Sequence, residues 1–185
     1  MTETLKYSVL RKHNKIELRR YQSYIQAEVK ISEKDYRSAA WEGFNILAGY
    51  IFGNNISKQK IDTTASVQIT QSEKIAMTSP VTVRDGGQYT VAFKMPSQYR
   101  LDMLPTPTDN RIHFTVVPEQ DMAVIRFNGF FQTKSINQHK DRLVDWVQKE
   151  GLEMEGDFIV AGYDPPWVPW FIARNEVLVK VTARF

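Results

Sequence analysis

The chain has no cysteine among its 185 residues, which excludes disulfide bonds, thiolate catalysis and zinc–thiolate sites. No run of the sequence approaches the roughly 18 consecutive apolar residues of a membrane-spanning helix. Residues 1–15 are polar and lack the apolar segment of a signal peptide. These absences predict a cytoplasmic protein without a membrane span.

The sequence also has little excess charge and few residues suited to catalysis or metal binding. Its 24 basic and 21 acidic side chains are interspersed and give a net charge of +3, so we expect no nucleic-acid surface. Nucleophile-elbow, phosphate-loop and dinucleotide-binding motifs are absent. No pair of the three histidines has the spacing of a metal site, and we expect solvated or structural roles for His13, His113 and His139. The sequence therefore favours a binding protein over an enzyme and predicts no metal site.

Apolar residues make up 42% of the chain and charged residues 24%, which is typical of a folded domain and predicts one domain over residues 1–185. A first helix is predicted over residues 35–52, capped by Ser32 and ended by Gly53. Its inward stripe is expected to contain Tyr36, Ala40, Phe44, Leu47 and Ile51.

A second helix is predicted over residues 136–150, with Ser135 as its cap and His139 on its solvent face. Its inward residues are expected to be Ile136, Leu143, Trp146 and Val147.

Strand-like runs surround both helices in the same order. The first half has runs 16–31, 74–84 and 89–95; the second has runs 122–133, 158–163 and 176–182, with a further strand at 112–117. Lys60-Ile61 and Lys74-Ile75 begin two similar segments that predict a hairpin. We interpret residues 16–100 and 112–182 as two β-α-β-β pseudo-repeats. The predicted class is α+β, with an antiparallel sheet curled into a distorted barrel and one helix per half packed outside.

Four motifs carry a resemblance to a known family. They are Gly43-Phe44 together with residues 50–55, the segment Lys74-Ile75-Ala76-Met77-Thr78-Ser79-Pro80-Val81, the segment Ala161-Gly162-Tyr163-Asp164-Pro165-Pro166, and Asn175-Glu176-Val177. In order and spacing the chain resembles the SOUL heme-binding protein family. The resemblance implies a distorted antiparallel β-barrel with two flanking helices, and heme or another tetrapyrrole in a shallow apolar cleft beside the first helix.

The ligand-binding prediction therefore falls on one edge of the first helix and on the second motif. Small side chains at Ala48 and Gly49 would lie below a flat ligand, with aromatic walls on either side. The alternative is that this apolar edge extends the core. The predicted ligand-binding residues are Trp41, Phe44, Asn45, Ala48, Phe52 and Met77.

Two contacts that the resemblance implies are missing. Ala27 stands where one branch of the family has its proposed axial histidine, and Trp41 and Gly49 stand where another branch has basic residues for the propionates. Burying about 300–400 Å² of apolar ring stabilises a complex by about 8–10 kcal/mol, and association costs at least about 4 kcal/mol. The prediction is weak binding of heme, or of another flat apolar molecule, without a histidine axial ligand.

A second function remains open in the loop at residues 164–171. Its prolines stiffen a loop that carries three large aromatic side chains, Trp167, Trp170 and Phe171. These side chains could cover an end of the sheet, or they could form a lid or a partner surface. The alternative prediction is an effector-sensing or protein-interaction module that uses this loop.

Overall fold

The computed structural model describes residues 3–58, 72–129, 132–164, 168–169 and 171–183. The predicted segment that begins at Lys60, and most of its hairpin, lie outside these residues. In the first half the elements are β1 Glu3–Thr4, β2 Tyr7–His13, β3 Ile16–Tyr21, β4 Tyr24–Ile31, α1 Tyr36–Ile51, β5 Asn55–Ile56, β6 Thr78–Ser79, β7 Val81–Asp85 and β8 Tyr89–Lys94. The remaining elements are β9 Thr106–Pro107, β10 His113–Val117, β11 Gln120–Asn128, α2 Thr133–Lys149, β12 Leu152–Gly162 and β13 Arg174–Ala183.

Nine of these strands form one antiparallel sheet in the order β10-β4-β8-β7-β12-β13-β11-β3-β2. The α+β class is confirmed. Within the described residues the sheet is open, because β10 and β2 lie at opposite edges, so the predicted barrel closure is not found. The register of β2 shifts between Val9 and Arg11, and Arg11 and Lys12 add charge to that edge. A bulge and charged side chains are features that end strand pairing.

The predicted run 16–31 is two strands and not one. The chain breaks at Gln22 and Ser23, after which β3 pairs with β11 and β4 pairs with β8. The sheet order is consequently symmetric about the β7–β12 pair, where Thr82 lies opposite Ala161. Each half contributes three neighbouring strands and one helix in β-α-β-β order. The predicted strand at 112–117 is present as β10, whereas regular pairing in the 74–84 run begins only at Thr78.

Both helices pack against one face of the sheet. The predicted inward residues of α2 are all buried, as are Tyr36, Leu47 and Ile51 of α1. Ala40 and Phe44 lie at the edge of the buried stripe and are half-buried, because Ala39, Gly43 and Tyr50 occupy its centre. Neither described helix is long and apolar enough to cross a membrane.

The helix caps differ from the predicted ones. Asp35, not Ser32, caps α1: its backbone is extended and its Oδ1 accepts hydrogen bonds from the N–H groups of Arg37 and Ser38 at 2.9 and 3.0 Å. The N-cap of α2 is Gln132, whose side chain makes no capping bond, so the helix begins before Ser135. At the other end of α1, Gly53 adopts φ +124° and ends the helix as predicted.

Candidate ligand-binding surface on the first helix

Two large aromatic side chains project from the outer face of α1. Trp41 and Phe52 are each 60% exposed, and they are three helical turns, about 16 Å, apart along the axis. Asn45 and Ala48 lie between them, because steps of four, three and four residues return to the same side of a helix. We call Trp41, Asn45, Ala48 and Phe52 the α1 stripe. Trp41 and Phe52, with the exposed Asn45 and the buried Ala48 between them, offer an apolar surface to a flat ligand.

Phe44 is attached more firmly to the core than Trp41 and Phe52 are. Its ring lies 5.6 Å from the ring of Phe93 on β8, at an interplanar angle of 60°, and the side chain is half-buried. Ala48 is buried beside it on the same helical row. The alternative interpretation, that this edge extends the core, therefore describes Phe44 and Ala48 better than it describes Trp41 and Phe52.

Met77 lies in the segment that runs past the C-terminal end of α1. The N–H of Ile75 donates to the carbonyl oxygen of Ile51 at 2.8 Å, which fixes this segment to the helix. Ile75 is buried, and the Met77 side chain is exposed. The structure thus brings the second motif to the helix end that carries Phe52.

A groove of about 560 Å³ runs along the side of α1 next to the stripe. One wall comes from the helix and its C-terminal turn, and the other from the loop before β10. Its lining residues are Asn45, Ile46, Gly49, Tyr50, Asn54, Thr108, Asp109, Asn110, Arg111 and Ile112. Most of these side chains are polar, so the hollow beside the helix is not the apolar cleft that the resemblance implied.

Arg111 and Asp109 form the charged pair of this groove. Arg111 Nε lies 3.0 Å from Asp109 Oδ1, and Arg111 Nη2 lies 2.7 Å from Asp109 Oδ2. The hydrogen bonds from Arg111 hold the pKa of Asp109 below its ordinary value. Hydrogen bonding to Asp109, followed more weakly by the charge of Glu42 on α1, raises the pKa of Arg111.

The sequence motifs did not predict this groove. Its two walls are joined by the Thr108 hydroxyl, which donates to the carbonyl oxygen of Asn54 at 2.9 Å across 54 residues of sequence. No local pattern relates those two segments. Gly49 is a sequence signal for the close approach of the Asn54 side chain to the helix, since an added Cβ at this position would lie 2.8 Å from Asn54 Nδ2.

The opposite face of the sheet carries a buried charged network that the sequence analysis also missed. Arg19 and Arg174 both donate to the carboxylate of Glu176, and the Tyr163 hydroxyl donates to Glu176 Oε2 at 2.7 Å. Burial alone would raise the pKa of Glu176, but these hydrogen bonds and the charge of Arg19 outweigh it and lower the pKa. Protein groups surround this carboxylate, so we interpret the network as structural.

None of the three histidines lies on the α1 stripe. His13 and His113 are exposed on β2 and β10. The prediction that His139 faces solvent was wrong: it is half-buried, its ring stacks on Phe127 at 4.3 Å, and its Nδ1 lies 2.7 Å from the carbonyl oxygen of Ser135. Ala27, at the position of the proposed axial ligand, is wholly buried in the core. Among the described residues no group of three or more His, Asp or Glu side chains could hold a metal ion.

The loop at residues 164–171 is described only in part. Trp167 and Trp170 lie outside the described residues, whereas Phe171 and its neighbour Ile172 are exposed. At the base of the loop, Asp164 Oδ2 accepts a hydrogen bond from the N–H of Arg174 at 2.6 Å.

Comparison with known proteins agrees with this architecture. The family model of the SOUL heme-binding protein matches residues 2–180. Heme-binding protein 2 of Mus musculus is 27% identical over 172 residues, which cover 89% of this chain and 80% of that protein.

Two solved structures share the fold at low identity. The EcmrR C-terminal domain has a TM-score of 0.65 and 11% identity over 96% of this chain and 99% of that domain. A hydrolase from Listeria innocua has a TM-score of 0.58 and 11% identity over 94% of each chain. Because the family model covers nearly the whole sequence, the chain belongs to the SOUL heme-binding protein family.

Proposed function

We propose that this protein binds heme, or another flat tetrapyrrole, on the α1 stripe. The family and the similarity to heme-binding protein 2 support heme or tetrapyrrole binding in general. The observation that carries the placement is the 60% exposure of both Trp41 and Phe52 on one side of α1. A planar ring laid along the helix would cover both side chains, with Phe44 and Met77 at its margins.

The residues of the α1 stripe fit a flat apolar ring better than they fit a histidine-ligated iron. Asn45 and Ala48 are small, so a ring could approach the helix backbone between the two aromatic side chains. Each of the three histidines lies on another element, and Ala27 is enclosed by the core. We therefore propose binding by apolar contact without a histidine axial ligand, which makes the complex weak.

A hemin titration followed at the Soret band tests the proposal. Covering about 100 Å² of each aromatic ring stabilises the complex by roughly 2–3 kcal/mol, so Trp41→Ala and Phe52→Ala should each weaken binding about ten-fold or more. Val116→Ala, at an exposed apolar position on β10, is the matched control and should bind as wild type does. The proposal fails if wild type gives no saturable shift, or if all three variants bind equally well.

A second candidate is a protein-interaction or effector-sensing role for the loop at residues 164–171. The exposure of Phe171 and Ile172 above a base fixed by Asp164 and Arg174 favours it. Phe171→Ala should then abolish capture of a partner in a pull-down and leave the hemin titration unchanged. Unaltered capture by the variant would contradict this role.

A further inference from the structure

The α1 stripe and the polar groove are adjacent surfaces with opposite chemistry. Asn45 belongs to both, since it lies between Trp41 and Phe52 on the stripe and also lines the groove. Gly49 continues the same helical row toward the groove, one turn beyond Asn45. A ligand that covers both surfaces must therefore be apolar across its plane and polar along one edge.

The groove is held open by its own hydrogen bonds. The Tyr50 hydroxyl donates to the carbonyl oxygen of Pro105 at 2.9 Å, and the N–H of Thr108 donates to the carbonyl oxygen of Asn54 at 3.2 Å. These bonds fix the loop before β10 against α1. A preformed groove costs a ligand little ordering of the protein on binding.

Arg111 gives the groove a preference for negatively charged groups. It is the cationic residue of the lining, and its pair with Asp109 uses Nε and Nη2. Nη1 lies outside that pair, and slightly more than half of the side chain is exposed. A guanidinium group presents several donors in one plane, which suits the recognition of carboxylates.

Resting on the function proposed above, we propose that the groove receives the carboxylate groups at one edge of a ring bound on the α1 stripe. Arg111 is then a specificity-determining residue that selects a carboxylate-bearing ring over an uncharged one. Asp109 competes with the ligand for the same guanidinium group and weakens the selection. The preferred ligand class is a flat, amphiphilic anion.

Parallel titrations with hemin and with hemin dimethyl ester, which lacks the carboxylates, test the inference. Wild type should bind hemin at least about ten-fold more tightly than the ester, since one hydrogen bond between charged groups supplies about that factor. Arg111→Gln should remove most of this difference and leave the affinity for the ester unchanged. Asp109→Asn should increase the affinity for hemin, and its amide oxygen can still accept the hydrogen bond from the N–H of Arg111 that Asp109 accepts at 3.0 Å.

Arg100→Gln is the matched control. Arg100 forms the same kind of pair with an aspartate two residues away, Asp102, and lies outside the groove lining. Its substitution should leave both affinities unchanged. Equal binding of hemin and ester by wild type, or an equal loss of both in Arg111→Gln, would overturn the inference and leave the proposed function standing. If wild type binds neither compound, both fail together.

Discussion

Glu176 accepts hydrogen bonds from two nitrogens of Arg19, at 2.9 and 3.1 Å, on the face of the sheet opposite to α1 and α2. Glu176 is 0% exposed and Arg19 is 3% exposed. The pair joins the last strand, β13, to β3, although β11 lies between them in the sheet. Two charges this deeply buried are tolerated only when further hydrogen bonds satisfy them. Tyr163 and Arg174 also donate to Glu176, and Glu17 and Tyr21 also accept from Arg19.

Removing one partner of this pair should destabilise the protein strongly. Arg19→Gln leaves the Glu176 carboxylate with an incomplete set of donors in the interior, which typically costs about 3–5 kcal/mol of the free energy of unfolding. Urea denaturation of wild type and variant measures the loss. Arg20→Gln is the control, because Arg20 pairs with Asp121 at the surface and exposed pairs contribute about 0–1 kcal/mol. Equal losses in the two variants would contradict the assignment.

The same network should make stability depend on pH in the acid range. The pKa of Glu176 is lower in the folded protein than the ordinary value of 4.5, so the folded state favours its ionised form. The stabilisation is complete above the unfolded pKa and is lost as the pH falls through the folded pKa. The free energy of unfolding, measured by urea denaturation from about pH 6 to pH 3, should therefore fall below about pH 4.5.

Glu176→Gln should reduce this pH dependence. The variant will be less stable than wild type near neutral pH, because two arginines lose their carboxylate partner. Its free energy of unfolding should decline less steeply on acidification. A slope identical to that of wild type would show that other carboxylates control the acid transition.

The cap of α1 gives a prediction that separates two neighbouring polar residues. Asp35→Ala removes the acceptor for the N–H groups of Arg37 and Ser38, and loss of an N-cap typically costs about 0.5–2 kcal/mol. Ser32→Ala should cost less than about 0.5 kcal/mol, as for other surface changes, because the Ser32 hydroxyl accepts only an exposed bond from Gln88. Thermal or urea denaturation of the two variants checks the order. A larger loss of stability in Ser32→Ala than in Asp35→Ala would instead support Ser32 as the cap, as the sequence predicted.

The sequence determined those parts of the fold that rest on local periodicity. The inward residues of α2 followed from apolar spacing, and the C-terminal ends of both helices followed from glycine positions such as Gly53. The division of residues 16–31 into two strands could not be predicted in this way, because β3 and β4 both mix apolar with charged residues and are distinguished by the distant strands they pair with. Gln22 and Ser23 mark the break, but polar residues inside one longer strand would look the same.

Likewise, local spacing predicts some parts of the candidate site and not others. Helical spacing predicts an apolar edge of α1 formed by Trp41, Phe44, Ala48 and Phe52. The partial burial of Phe44 depends on where β8 places Phe93, and the groove depends on a loop 54 residues further along the sequence than Asn54. Local sequence patterns also cannot predict the Arg19–Glu176 pair, because its two members are 157 residues apart.

Two glycines in α1 should respond differently to the same substitution. Alanine is favoured over glycine in a helix by about 1 kcal/mol. At Gly43 an added Cβ would lie 2.4 Å from Cβ and Cγ2 of Val91, in the contact between α1 and β8. Gly43→Ala should therefore destabilise the protein by about 1–3 kcal/mol, the usual cost of overpacking a core.

At Gly49 the nearest atom to an added Cβ is the end of the Asn54 side chain, which can rotate away. Gly49→Ala should leave the free energy of unfolding unchanged or raise it slightly, because the gain in helix propensity meets little steric opposition. Urea denaturation of the two variants measures the difference. In a Val91→Gly background, which removes all three contacting carbon atoms, Gly43→Ala should cost less stability than in wild type if the clash with Val91 is its cause. An equal cost in the two backgrounds would refute that cause.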